Sequence, residues 1–167
     1  MESQQSQRLP RIATALTAVA ILCFTMLKAH VSLPGVWRAE SYQHRELRPY
    51  PLQEFIDPIV WWAPLLNVIG NTALFIPVGF LAVTLASPRR PLFTAATTGF
   101  VASLAIEIAQ YALAVGYSDI DDLIFNTLGA LIGGLAATRL HNPKAFIWLI
   151  IVAATATIAP FVYALFA

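Results

Sequence analysis

The chain alternates long apolar runs with short polar connections. Five runs are long and apolar, and they occupy segments 12–33, 59–86, 92–115, 123–140 and 145–166. A helix needs about 20 predominantly apolar residues to cross the hydrocarbon core of a bilayer. The pattern therefore predicts an all-α, polytopic bundle of about five transmembrane helices.

Composition supports this prediction. Hydrophobic residues make up 58% of the 167 residues and charged residues only 11%, whereas soluble domains contain about 25% charged residues. The formal net charge is +1 and no basic stripe is present, which argues against nucleic acid as a partner. The longest polar stretch, 34–58, is too short for a separate soluble domain. We expect a single membrane domain over residues 1–167.

Two interpretations of the first run remain open. Arg8 and Arg11 precede it, as in a signal peptide. However, the run is long for a signal peptide, and no small-x-small cleavage site closely follows Leu27. These features favour a retained helix.

Basic residues predict the orientation. Of the ten Lys and Arg residues, six would lie on one side of the membrane: Arg8, Arg11, Arg89, Arg90, Arg139 and Lys144. Cytoplasmic loops carry an excess of such residues, so we expect a cytoplasmic N-terminus and an external C-terminus. The Trp61-Trp62 pair then fits an aromatic belt at the outer interface.

Polar residues inside the apolar runs indicate a site. An ionisable group in a membrane helix costs several kcal/mol by most estimates, faces protein or water, and is a functional candidate. The candidate catalytic carboxylates are Glu107, Asp119 and Asp122. The candidate substrate-binding amides are Asn67, Asn71, Gln110 and Asn126. With the predicted topology and a rise of about 1.5 Å per residue, these groups converge in the outer half of the bilayer.

Helical geometry assigns these residues to faces. In the fourth run one face carries Asp119, Asp122, Asn126, Gly129 and Gly133, and Asp121 points away from it. The stripe of the third run is Gly99, Ser103, Glu107 and Gln110, and that of the second is Asn67, Gly70 and Asn71. Small residues on a shared face let helices approach closely, so these faces should meet each other.

Several of these residues also have purely structural interpretations. Asp119 with Asp122 resembles a helix N-cap followed by an acid at the third helical position. The amides could serve only as interhelical hydrogen bonds, and Ser103 could bond back to its own helix. Pro77 is expected to kink the second helix, with or without opening a cavity.

No Lys or Arg lies within runs two to four at the depth of the three carboxylates. Their negative charges must therefore be removed by protonation or balanced by a cation from elsewhere in the chain. The candidate cations are Lys28, His30, Arg45 and Arg48. Oxygen ligands suit a divalent metal, but no known metal motif is present, and we predict no metal and no cofactor.

Three blocks of sequence resemble the VanZ-like family of bacterial membrane proteins. Residues 67–80 resemble its N-x-x-G-N-x-x-x-F-x-P-x-G-F signature, Glu107 with Gln110 resembles its E-x-x-Q, and residues 119–129 resemble its D-x-x-D-x-x-x-N-T-x-G pattern. The blocks span about 67–134, within a VanZ-like region of about 59–140. One departure is Gly116, where family members often carry an arginine. We therefore expect either a different cation, with the 34–58 loop as a candidate source, or a protonated acid.

The resemblance implies a multi-pass protein of the bacterial cytoplasmic membrane, in a family associated with resistance to teicoplanin, a lipid-tailed glycopeptide. Three functions remain open. The first is binding or modification of a lipid or lipid-linked envelope component. The second is an enzyme using Glu107 as acid or base, and the third is a small proton-coupled transporter or an assembly subunit. Oligomerisation is also left open.

Overall fold

The computed structural model describes residues 7–32, 38–56 and 61–166. Within this part of the chain, five helices are long and apolar enough to cross a membrane. They are α1 (Arg8–Met26), α2 (Ala63–Ala86), α3 (Pro91–Leu113), α4 (Ile120–Arg139) and α5 (Pro143–Phe166). The all-α prediction is confirmed. The predicted ends at 33, 34, 58 and 59 lie outside the described residues.

Local sequence explains where the helices begin and end. Pro91 and Pro143 each occupy the first helical position, where the missing N–H costs nothing. The α4 helix begins three residues before its apolar run, because Asp119 caps it by accepting a hydrogen bond from the Asp121 amide at 2.9 Å. The N-cap interpretation of Asp119 is thus confirmed.

A short parallel pair of strands was not predicted. Strand β1 (Arg45–Arg48) lies in the loop between α1 and α2, and β2 (Gly116–Asp119) joins α3 to α4. Neither four-residue strand has the alternating apolar pattern by which strands are recognised. Their pairing fastens the loop over one end of the helices, which we call the loop end.

Helix α4 lies against both α2 and α3, with glycines at the closest approaches. A Cβ atom at Gly129 would overlap the carbonyl group of Thr72, and one at Gly133 would overlap that of Ile76. A Cβ atom at Gly99 would collide with the Ala130 side chain. The small-residue faces predicted on runs three and four are therefore buried against neighbouring helices.

Burial is reversed relative to a soluble protein. On α3, Ser103 and Gln110 are 0% and 1% exposed, whereas Val101 and Ile108 are 63% and 61% exposed. Exposing apolar side chains while burying polar ones is stable when hydrocarbon surrounds the helices. This arrangement identifies a membrane protein.

Candidate functional site

Backbone contacts hold the loop against the start of α4. In the parallel register Arg45 lies opposite Gly116 and Arg48 lies opposite Asp119. The Leu52 amide donates to both carboxylate oxygens of Asp121, at 2.9 and 2.8 Å. The loop is consequently fixed beside the acidic turn at residues 119–122.

Asp122 joins α4 to α2. Its Oδ1 atom accepts a hydrogen bond from Asn67 Nδ2 at 3.3 Å and another from Asn71 Nδ2. Asn71 Nδ2 also lies 3.1 Å from Asn67 Oδ1. The two asparagines of the first signature block and the second aspartate of the last block thus form one cluster.

This cluster lines a cavity of about 280 Å³ at the loop end, which we call the polar cavity. Its polar wall consists of Asn67, Asn71, Asp119 and Asp122, with Lys28 from the segment after α1. Its aromatic residues include Tyr42, Trp62 and Tyr117. The volume is near the lower end of the range for small-molecule sites, roughly 300–1,000 Å³.

Of the four candidate cations, Arg48 lies beside Asp119 and Lys28 lines the same cavity as Asp119 and Asp122. Arg48 lies with its guanidinium 3.4 Å from the centre of the Tyr117 ring, and its Nη1 atom is 4.0 Å from Asp119 Oδ2. Lys28 lines the polar cavity, with its Nζ atom 4.8 Å from the centre of the Tyr42 ring. The departure at Gly116 is therefore accompanied by an arginine from the neighbouring strand.

The other two candidates are directed elsewhere. Arg45 Nη2 donates to the Ala112 carbonyl at 3.1 Å, and its guanidinium lies over the Tyr111 ring. His30 is exposed, with its Nδ1 atom 3.4 Å from the Met26 carbonyl oxygen.

Glu107 lies behind the polar cavity and is absent from the described residues that line it. Its side chain is 6% exposed, and its Oε2 atom accepts a hydrogen bond from the Asp119 amide at 2.8 Å. The Ser118 side chain also lies beside this carboxyl group. In this geometry Glu107 holds the backbone that presents Asp119.

Gln110 and Asn126 likewise connect helices and are absent from the described cavity lining. Gln110 Nε2 donates to the Thr25 carbonyl of α1 at 3.3 Å, and Asn126 Nδ2 donates to Ser103 Oγ at 2.9 Å. Ser103 in turn donates to the Asp122 carbonyl at 3.4 Å. Ser103 thus bonds across to α4, contrary to the alternative in which it bonds back to its own helix.

Sequence reasoning gave Asp121 no role. Its carboxylate accepts the hydrogen bonds of the Leu52 amide, and it is only 3% exposed because the loop packs against it. The sequence also gave no indication that Tyr42 and Tyr117 line the polar cavity, since neither residue belongs to a periodic pattern. No group of three or more His, Cys, Asp or Glu residues suited to a metal occurs in the described parts of the chain.

Comparison with known proteins places these residues in a family. The family model described as VanZ/LLP1 matches residues 14–141. The chain belongs to the VanZ/LLP1 family. It is 30% identical over 149 residues to "Protein VanZ" of Enterococcus faecium, covering 81% of this chain and 80% of that one. No solved structure matches. The resemblance inferred from the three blocks is confirmed, and the match extends beyond 67–134 to most of α1.

Proposed function

We propose that the polar cavity binds the headgroup of a membrane lipid or a lipid-linked envelope component. The observation that carries this proposal is the position of the cavity, where carboxylates, amides and a lysine meet at one end of apolar helices. A membrane lipid has the same arrangement, because its polar headgroup lies at the end of its hydrocarbon chains.

The side chains of the cavity suit such a headgroup. Asp119 and Asp122 accept hydrogen bonds from hydroxyl or ammonium groups, and Lys28 supplies a cation for a phosphate. Trp62 and Tyr42 are amphipathic aromatic residues of the kind enriched at membrane–water interfaces. These features together favour a headgroup with hydroxyl, amine or phosphate functions.

The runner-up is chemical modification of the same headgroup. Asp119 and Asp122 line one cavity, and paired carboxylates are a common basis for acid and base roles. Glu107, the first choice from sequence, would act in this scheme as a positioning residue, because it bonds the Asp119 amide behind the cavity.

Orientation connects the site to the cell envelope. The excess of basic residues at the other end of the helices favours a loop end outside the cytoplasmic membrane. A site there lies where a lipid-tailed glycopeptide acts, so a contribution to teicoplanin-type resistance follows as part of the proposal. A phosphatase reporter fused after residue 167 should be active. If a fluorescent protein fused at the same position were fluorescent instead, this orientation would be contradicted.

The decisive experiment compares two adjacent aspartates. In a deletion strain scored for sensitivity to teicoplanin and to detergents, Asp121→Asn should rescue, because its amide oxygen still accepts the loop hydrogen bond. Asp122→Asn should not rescue, since it removes the charge from the cavity wall. Equal rescue by both variants, at matched expression in the membrane, would refute the proposal.

A further inference from the structure

A second cavity lies directly next to the polar cavity. It has a volume of about 290 Å³ and is lined by α1, α2 and α5, through apolar residues that include Ala20, Ala73, Pro77 and Ala154. We call it the apolar groove. Phe24 and Gly70 line both this groove and the polar cavity.

The groove runs away from the loop end along the helices. Phe24 of α1 and Gly70 of α2 mark the junction, whereas Thr17 and Pro77 line the groove seven residues further along their helices. Seven helical residues rise about 10 Å. The two cavities therefore adjoin at Phe24 and Gly70, and the largely apolar groove extends about two helical turns from that junction.

The junction itself is open. No described atom outside its local backbone lies within 4 Å of the position that a Cβ atom would occupy at Gly70. By contrast, a Cβ atom at Gly79 of α2 or at Gly99 of α3 would overlap Ala130 of α4. The small residue at 70 consequently leaves space between the two cavities, and close helix packing does not explain it.

We propose that one zwitterionic glycerophospholipid occupies both cavities, with its headgroup in the polar cavity and an acyl chain in the apolar groove. This inference rests on the proposed function and adds the ligand class and the site for its hydrocarbon. Charge complementarity supports the choice, because the polar cavity presents both Lys28 and the carboxylates of Asp119 and Asp122. A phosphate and an ammonium group match these two signs.

Another groove provides an internal control. It has a volume of about 390 Å³, is lined by α1, α2 and α3, and contains Ala18 and Ala102. None of its described lining residues lines the polar cavity, and only Thr17 is shared with the apolar groove, so Thr17 is left out of the comparison. Bulk lipid should enter both grooves alike, whereas a lipid held by its headgroup should favour the apolar groove.

The test uses the full chain in native membranes from cells fed a diazirine fatty acid. After irradiation and purification, labelled residues are mapped by mass spectrometry. We expect the apolar groove to be labelled well above the control groove. Ala73→Leu, which fills the apolar groove, should lower its labelling about tenfold, since apolar burial drives chain binding. The matched control Ala18→Leu in the other groove should not.

Coupling between the cavities is the critical result. Asp122→Asn should also lower labelling of the apolar groove, although it changes only the headgroup site. Unchanged labelling in that variant, or equal labelling of both grooves, would overturn the inference and leave the headgroup proposal standing. A diazirine isoprenyl phosphate that labels the groove when the fatty acid does not would also overturn it.

A phosphatidylethanolamine with a diazirine on its headgroup separates the two proposals. It should label the polar cavity in the wild type and lose that labelling in Gly70→Leu, which fills the open junction. If the wild-type cavity is not labelled by this probe, the zwitterionic ligand class is wrong. If Ala73→Leu keeps full headgroup labelling, headgroup binding stands and the continuous two-cavity site is wrong.

Discussion

Close packing between α2 and α4 makes Gly129 a position where one added methyl group should be strongly destabilising. Its Cβ atom would overlap the carbonyl oxygen and carbon of Thr72, and these backbone atoms cannot rotate away. Helix α2 would have to shift, which also disturbs Gly133 against Ile76 one turn further along. Overpacking of this kind typically costs about 1–3 kcal/mol.

Gly70→Ala is the matched control. Both glycines are in helix interiors, so both substitutions gain about the same helix propensity, up to ~1 kcal/mol. Apart from the adjacent residues and the local helix backbone, no described atom lies within 4 Å of the added methyl group at Gly70. The difference between the two variants therefore isolates the packing cost. We expect Gly129→Ala to be less stable than Gly70→Ala by about 1–3 kcal/mol, a factor of roughly 5 to 150 in the unfolding equilibrium.

Equilibrium unfolding in mixed micelles, with increasing SDS, measures this difference from tryptophan fluorescence and helical circular dichroism. Both variants should expose the same surface on unfolding, so the slope of the transition should not change. If Gly129→Ala were within about 0.5 kcal/mol of Gly70→Ala, a level usual for substitutions that disturb no packing, the close approach of α4 and α2 would be refuted.

Three further outcomes are expected. Asp121→Ala should raise the rate of proteolytic cleavage in the loop about tenfold, because it removes a charged acceptor from a loop amide, whereas Asp121→Asn should stay near the wild-type rate. A double-mutant cycle on Arg48 and Tyr117 should give a coupling of about 0.5–2 kcal/mol from the stacked cation, and a coupling near zero would contradict the loop position. A cycle with Ser103→Ala and Asn126→Leu should give about 0.6 kcal/mol and no more than ~1.7 kcal/mol, as found for hydrogen bonds between membrane helices.

The loop gives this protein a feature that its signature blocks do not contain. Strand β1 pairs with β2 so that Arg48 lies beside Asp119, and the Leu52 amide binds Asp121. The loop thus supplies positive charge to the acidic turn and also covers part of it. This dual contact links the segment outside the family blocks to the residues that line the polar cavity.

Sequence alone determined the helices, the family and the inward faces of α3 and α4, whereas Gly70 in the predicted stripe of α2 does not pack against a helix. Hydropathy depends on composition over about 20 residues, so five spans could be predicted without knowing any contact. The stripe of Gly99, Ser103, Glu107 and Gln110 follows from the fixed angle between successive helical residues, and all four are buried.

Tertiary structure decided which polar residues share a cavity. Depth and face place Glu107, Gln110, Asn126 and Asp122 at similar levels, but neither quantity specifies the atom that each side chain meets. Packing directs Asp122 to the asparagines of α2, and Glu107 to a backbone amide behind them. The pairing of β1 with β2 joins residues about seventy positions apart, and only the folded chain brings Arg48 to Asp119.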